Sequence, residues 1–536
     1  MLDLPARSLG LTLRVAAAAV AILAGLLGPP RAAAQALDSV LVVEIEATVQ
    51  SLIDSVPWPG AAVGIVVVDS LAFARGFGLA DRVTGSTVTP STLFQIGSVS
   101  KSFTATLAGM LVERRRLSWS DRLSARLPAA AKLPAEPITL GQIASHMSGL
   151  PGDAPTLRRK HGDYPILAFT HFELYQSLAE SELAFPPGTA WGYSNFGYAV
   201  LGHVLELATG LPYEVLLTAE LFEPLGMTSS TVTIWPELAP RLATPYIADE
   251  ERGDLVQYTP WDQEALAPAG GIASTLVDMG RWVGFQLRAR AGREGRVGAS
   301  MVRDLQSARW TFPSGTAYGV GWFVERLDGV GEVISVGGEV DGYTSEIAFA
   351  PGSEVGVVVM VNRGDAVGLP DLTRWLLATV VGGAGLDEAR YRRGLLHQTA
   401  GEWRAAFQAF ASLTERGAPD LRALYQVGRT GALSGQFLAE AEDALERYLD
   451  RTPEPDQPSH AAARWRLAMV HQRSGRCADA EQQYMLALEA DPGLMGVIEQ
   501  DRRAIGGCEV PSASLSPIEG LTDPHEPAVP RQIPRS

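Results

Sequence analysis

Two kinds of apolar pattern alternate along most of this chain. The unbroken run Ala61-Ala62-Val63-Gly64-Ile65-Val66-Val67-Val68, rich in β-branched residues, predicts a buried strand. Ser345–Pro351 and Val355–Val361 predict a strand pair, and Pro351-Gly352-Ser353-Glu354 between them is a hairpin signal. The intervening sequence is dominated by helical spacing. Ser98–Arg115, for instance, carries Phe103, Leu107, Met110 and Leu111 at intervals that put them on one helix face. Strands at both ends of a segment of residues 37–386, with a large helical middle, predict an α+β architecture. Of the α+β arrangements, an αβα sandwich fits better than a doubly wound parallel sheet.

After residue 386 the pattern changes. From Glu388 to Arg503 nearly every residue is a helix former, with Gly and Pro confined to intervals. Within Ala461–Pro492, the positions of Leu467, Ala468, Ala480, Tyr484, Ala487 and Pro492 resemble the tetratricopeptide repeat of about 34 residues. A looser copy ends at Pro453 with Ala441, Leu445 and Tyr448 in equivalent places. A third runs through Ala406 and Phe410 towards Pro419. Small alanines let paired helices approach, and proline ends the second helix of a pair. Residues 388–508 are therefore expected to form an all-α helical-repeat domain. Its concave face would either bind a peptide partner or pack on the preceding domain. Residues 509–536, rich in Pro and polar residues, read as a disordered tail.

Composition narrows the class. With 46% hydrophobic and 19% charged residues, the 536-residue chain is neither fibrous nor wholly disordered. A net charge of −16 provides no basic footprint for nucleic acid. The first 34 residues read as an export signal. Arg7 and Arg14 precede the apolar run Val15–Leu27, and Ala32-Ala33-Ala34 follows as a small-residue cleavage site. That run is shorter than the roughly 20 apolar residues needed to span a bilayer, so the expectation is a periplasmic or secreted protein without a membrane span. Cys477 and Cys508 are the two cysteines, too few to be a framework and without metal-ligand spacing. In the repeat register Cys477 falls in a turn, and Cys508 follows a helix returning to the same end. Both a disulfide and two free thiols fit that register.

The basic residues are unevenly divided: Lys101, Lys132 and Lys160 are the three lysines, against 41 arginines. Lys101 belongs to Ser98-Val99-Ser100-Lys101, where a lysine stands one turn after a serine on the same helix face. A partly buried lysine amine can lose its proton and act as a base, whereas arginine stays protonated. Backbone N–H groups at the helix start can stabilise an oxyanion. The same spacing also fits a serine that only caps its helix. Tyr193-Ser194-Asn195 adds a tyrosine able to relay a proton and an amide able to bind an acyl carbonyl, although Tyr193 also fits as a packing residue. Flanking phrases follow in order: Ser145-His146-Met147-Ser148-Gly149-Leu150-Pro151, Pro224-Leu225-Gly226-Met227, and Pro268-Ala269-Gly270-Gly271-Ile272.

With these phrases the sequence resembles the serine β-lactamase-like hydrolases, the group of class C β-lactamases, DD-peptidases and family VIII esterases. The resemblance spans about residues 40–385. It implies Ser98 as the acylated nucleophile, Lys101 as its base, Tyr193 as partner in proton transfer and Asn195 as a substrate-orienting group. His146 would be structural. It implies neither a cofactor nor a metal. The third motif departs from the family pattern. Gly338 and Gly342 match in Ser335-Val336-Gly337-Gly338-Glu339-Val340-Asp341-Gly342, but the usual Lys or His position holds Val336. The backbone N–H groups of Glu339 and Ser98 would still form an oxyanion hole beside Gly338. Two functions follow. The first is a serine hydrolase acting on an ester, amide or β-lactam/cell-wall peptide, with Val336 favouring neutral esters. The second is a catalytically degenerate domain that binds a ligand or partner together with its repeats.

Overall fold

The computed structural model describes residues 37–508 except 129–130, 135–136, 158–168, 250–252, 261–263, 416–419 and 456. The expected export signal, the expected tail and Pro419 lie outside the described residues.

Twelve strands are present among the described residues. They are β1 Gly60–Val67, β2 Ser70–Gly78, β3 Leu93–Gln95, β4 Tyr246–Asp249, β5 Asp254–Gln257, β6 Ala273–Thr275, β7 Trp310–Thr311, β8 Ala317–Tyr318, β9 Phe323–Leu327, β10 Gly331–Val340, β11 Tyr343–Ala350 and β12 Val355–Val361. Eight of them form one sheet in the order β2-β1-β12-β11-β10-β9-β8-β7. Every pairing in it is antiparallel, and β1 lies against β12 from Ala61 opposite Val361 to Val67 opposite Val355. The first and last strands of the segment thus pair with each other inside the sheet, second and third from one edge. The long insertion between β2 and β7 supplies most of the helices.

The helices used below are α1 Ser39–Ser55, α2 Ser100–Glu113, α3 Asn195–Thr209, α4 Leu276–Arg290 and α5 Leu369–Val381. The sheet is buried on both faces, which explains why its central strands are apolar throughout rather than alternating. Ala61, Val63, Ile65, Val357 and Val359 point into a core with Ile45, Val49 and Leu52 of α1 and Trp375 and Leu376 of α5. Ala62, Val66, Val358 and Met360 point the other way, into the core containing α2 and α4. This is the αβα sandwich expected from the sequence.

Helix α2 departs from its amphipathic reading, because every residue from Ser100 to Leu111 is buried. Its polar face consists of Ser and Thr, small enough for close neighbours and able to return their hydroxyls to the backbone. Ser102 Oγ donates to Val99 O at 2.7 Å and Thr106 Oγ1 to Ser102 O at 2.8 Å. Phe103 stacks on Trp282 of α4 with centroids 3.8 Å apart. The helix that carries the candidate lysine is therefore fixed from all sides.

Beyond α5 the described chain is helical: α6 Leu386–Thr399, α7 Trp403–Thr414, α8 Leu421–Ser434, α9 Leu438–Leu449, α10 His460–Arg473, α11 Cys477–Ala490 and α12 Met495–Ile505. The small residues sit where helices touch. A Cβ on Gly428 of α8 would come within 2.2 Å of Leu445 of α9. Ala441, Leu445, Tyr448, Ala480, Tyr484 and Ala487 all lie in one shared core. Cys477 and Cys508 form a disulfide, which closes the choice left by the sequence. The expected boundary between residues 386 and 388 is not a linker. Ala389 and Leu396 of α6 enter the core beneath the sheet, while Tyr391 enters the core of the C-terminal helices. One helix serves both bodies because its opposite faces are both apolar.

Candidate active site

Ser98 lies in the single 3-10 turn Gly97–Val99 that leads into α2, not on the α-helix itself. The turn rests directly on β10. Gly97 has a φ of 50°, and a Cβ there would sit 2.7 Å from the Glu339 nitrogen. A Cβ on Gly338 would sit 2.0 Å from Ile96 O and 2.9 Å from the Ser98 nitrogen. Both positions need glycine for close backbone approach, and the left-handed φ adds a second reason at Gly97. Ser345 Oγ of β11 donates to Ile96 O at 2.8 Å and pins the same turn from the sheet. The backbones of Ser98 and Glu339 are thereby neighbours, as the oxyanion-hole expectation requires. The Glu339 carboxylate is engaged elsewhere, accepting the Asp365 N–H at 3.2 Å.

Ser98 does not cap α2. Its Oγ is 3.0 Å from Lys101 Nζ and accepts the Tyr193 hydroxyl at 2.6 Å. Lys101 Nζ also donates to Asn195 Oδ1 and to Ala269 O, both at 2.7 Å. Those two oxygens can only accept, so they use two N–H bonds. A neutral amine has two, and its lone pair is then left facing Ser98. Lys101 is 1% exposed, and burial pushes its pKa well below the ordinary 10.5, further than the nearby Asp153 carboxylate raises it. Burial, reinforced by Tyr318, drives the Tyr193 phenol in the opposite direction, far above its ordinary 10. Tyr193 therefore stays a protonated donor, and Lys101 is the group able to accept the Ser98 proton.

The Tyr193-Ser194-Asn195 stretch is held by helix chemistry. Ser194 is the N-cap of α3, accepting the Gly197 N–H at 2.8 Å and donating to Pro151 O at 2.6 Å. His146 confirms its structural reading. It is buried, and its pKa is pushed well below 6.5 by burial and then by Lys101. As a neutral ring it accepts the Ser194 N–H on Nδ1 at 3.1 Å and lies 4.4 Å from the Tyr193 ring. It touches the tyrosine rather than the serine.

Sequence reasoning missed three participants. Asp153 accepts the Asn195 amide at 3.1 Å, from a segment distant in sequence. The Ala269 carbonyl is a backbone group, and only its phrase Pro268-Ala269-Gly270-Gly271 hinted at it. Tyr318 of β8 lies 5.0 Å from His146 and closes the aromatic wall behind Tyr193. Val336 is buried on β10 at 4% exposure, two residues before Gly338.

Comparison with known proteins bears on family and fold. The Beta-lactamase family model matches residues 45–382. Penicillin-binding protein 4 of Amycolatopsis lactamdurans is 32% identical over 339 residues, 60% of this chain and 86% of its own. The D-alanyl-D-alanine-carboxypeptidase/endopeptidase AmpH of Escherichia coli (strain K12) is 28% identical, covering 56% of this chain and 78% of its own. Unguisins hydrolase ungD of Aspergillus violaceofuscus is also 28% identical, but the match spans 58% of its length. Among solved structures, the octameric penicillin-binding protein homologue from Pyrococcus abyssi superposes with a TM-score of 0.58 at 24% identity, over 66% of this chain and 80% of that one. It supports the fold alone. A match over well more than half of the chain, on a sandwich whose serine, lysine and tyrosine converge, places the protein in the beta-lactamase family of serine hydrolases.

Proposed function

We propose that the protein is an exported hydrolase that forms an acyl-enzyme on Ser98 and acts on uncharged esters or amides in preference to carboxylate-bearing lactams or peptides. The observation that carries the reading is the threefold placement of Lys101 Nζ on Asn195, Ala269 and Ser98. Lys101 takes the Ser98 proton as Oγ attacks the substrate carbonyl. The oxyanion forms between the backbones of Ser98 and Glu339. Tyr193 donates its proton to the departing alcohol or amine and is reprotonated from Lys101, so the proton count closes. Water then attacks the ester, its proton passes to the same pair, and Ser98 leaves with a proton restored.

The substrate preference rests on charge. The position that usually carries a cation is Val336, and Asp153 adds a carboxylate beside Asn195. A substrate carboxylate would find no side-chain cation at position 336 and would face like charge beside Asn195. The helices from α6 onward are read as tetratricopeptide-like repeats offering a surface for a protein partner. The export reading rests on the N-terminal sequence pattern.

The test offers purified protein a fluorophosphonate probe and short-chain nitrophenyl esters, beside Ser98→Ala and Lys101→Ala. Wild type is expected to label and turn over, and both variants to lose labelling. Absence of labelling in wild type would overturn the enzyme reading and favour the ligand-binding alternative that Val336 supports. Labelling that survives Ser98→Ala would overturn the site.

A further inference from the structure

Between α3 and the helix His171–Glu180, three side chains converge without any part in the chemistry above. His203 and Glu206 stand one turn apart on α3, and His171 is the first residue of the helix His171–Glu180. His171 Nε2 lies 2.8 Å, and His203 Nδ1 2.9 Å, from the same oxygen of Glu206, Oε2. The ligand atoms of the three all lie within 4.8 Å of one another. We propose that His171, His203 and Glu206 bind a divalent cation of the zinc class.

Three features favour a metal over a plain ion pair. First, the donor set is two imidazoles and one carboxylate, a combination that binds zinc with an open fourth position. Bonds of about 2.0–2.1 Å in a tetrahedron separate ligand atoms by about 3.3 Å, so the two nitrogen-to-oxygen spacings of 2.8 and 2.9 Å need to open only by a few tenths of an ångström. Second, the outer atoms of the two α3 ligands are already held. The Tyr175 hydroxyl is 2.8 Å from His203 Nε2, and the Tyr213 N–H donates to Glu206 Oε1 at 2.9 Å. Such partners hold the ring with Nδ1 facing the shared point. Third, His203 and most of Glu206 are enclosed while the His171 side chain is 48% exposed. The enclosed pair form a rigid base, and His171 leaves one side open to water and to an entering ion.

A cation here would act on elements that carry site residues. It would clip the helix His171–Glu180 to α3, the helix that begins with Asn195. The helix His171–Glu180 also holds Thr156, whose Oγ1 lies 2.5 Å from Ser177 Oγ and 3.2 Å from Glu173 O. Thr156 follows Asp153 by three residues, and Asp153 binds the Asn195 amide.

The experiment uses the untagged full-length protein, dialysed against a chelator and titrated with Zn²⁺ or Co²⁺. Calorimetry, metal content after gel filtration and the thermal midpoint are read together with the visible absorption of the Co²⁺ form. One equivalent is expected to bind, raise the midpoint and, with Co²⁺, give the intense visible band of a low-coordinate site. His171→Ala removes an exposed ligand without opening a core, and is expected to weaken binding by at least about tenfold. Glu206→Gln keeps an acceptor for the Tyr213 N–H but removes the anionic ligand, with the same expected result. No stoichiometric binding in wild type would overturn the proposal and leave an ion pair. Binding of equal strength in His171→Ala would overturn it as well.

Discussion

At the residue scale the decisive group is Lys101. Lysine is kept at a position where an arginine-rich chain would otherwise supply arginine, and the structure shows why. Burial favours an amine that has lost its proton, and the two carbonyl-type acceptors take its two N–H bonds and leave the lone pair for Ser98, which a guanidinium does not offer. Lys101→Arg is therefore expected to slow fluorophosphonate labelling by about 10²–10⁴, the usual contribution of a general base. Tyr193→Phe keeps the base and loses the proton donor, so ester turnover should fall within the same range while labelling keeps its pH dependence. That dependence has a definite sign. Below the lowered pKa the ammonium has no lone pair for Ser98, so the labelling rate rises with pH and then levels off. Stability follows the same group. Between its lowered folded pKa and 10.5 the unfolded chain binds more protons, so this contribution rises with pH, by up to about 1.4 kcal/mol per pH unit. Urea unfolding should thus show the balance between wild type and Lys101→Met moving towards wild type as pH rises. A balance independent of pH would mean that Lys101 is charged in the folded protein. Val336→His tests specificity at the same scale: if the missing cation sets preference, hydrolysis of a carboxylate-bearing substrate increases relative to a neutral ester.

At the scale of elements, the fold was legible wherever burial imposes a pattern. Ala61–Val68 and Val355–Val361 read as strands because both sheet faces are covered, which leaves no polar alternation to confuse the period. The two-residue strands β7 and β8 left no such trace. They are too short for a period, and they hold their place through Tyr318 and the aromatic wall rather than through local propensity. Within the site, side chains with a fixed spacing could be found, and Ser98 with Lys101 on one turn is the clear case. Asp153 and the Ala269 carbonyl reach the same point from distant segments, so nothing local marks them. The glycines are an intermediate case. Gly338 was recognisable from its motif, but its physical duty appears only when the Ile96 carbonyl lies against β10. Gly338→Ala places a methyl group where no space exists, and the Ser98 turn must then move away from Glu339. Labelling should be lost, with a destabilisation of about 1–3 kcal/mol by denaturant titration. Labelling at the wild-type rate would show that the turn and β10 need not touch.

At the scale of the molecule, the sequence suggested two bodies with a cut near residue 387, but α6 belongs to both. Arg393 of α6 reaches Glu44 of α1 at 2.5 Å, and Ser51 of α1 donates to Glu402 at 2.6 Å. Glu388, enclosed in α6, accepts from Arg392 at 2.6 Å and from Arg422 of α8 at 2.9 Å. A chain ended after residue 386 loses Ala389 and Leu396 from the core beneath the sheet. Full burial of one Leu is worth about 1.5–3 kcal/mol, so this shortened chain should melt below one ended after residue 401. The Cys477–Cys508 disulfide lies at the far end, joining positions 31 residues apart. By loop-closure entropy it contributes roughly 3–4 kcal/mol to whatever unit it closes. In a stacked helical array that unit is local, because each helix pair touches chiefly its neighbours. Replacing both cysteines by serine should therefore weaken hydrogen-exchange protection across α10 to α12 and leave protection of β1 and β12 unchanged. Esterase activity should not move. If it falls, the far end of the array is coupled to Ser98, and α6, which enters both cores, is one route for that coupling.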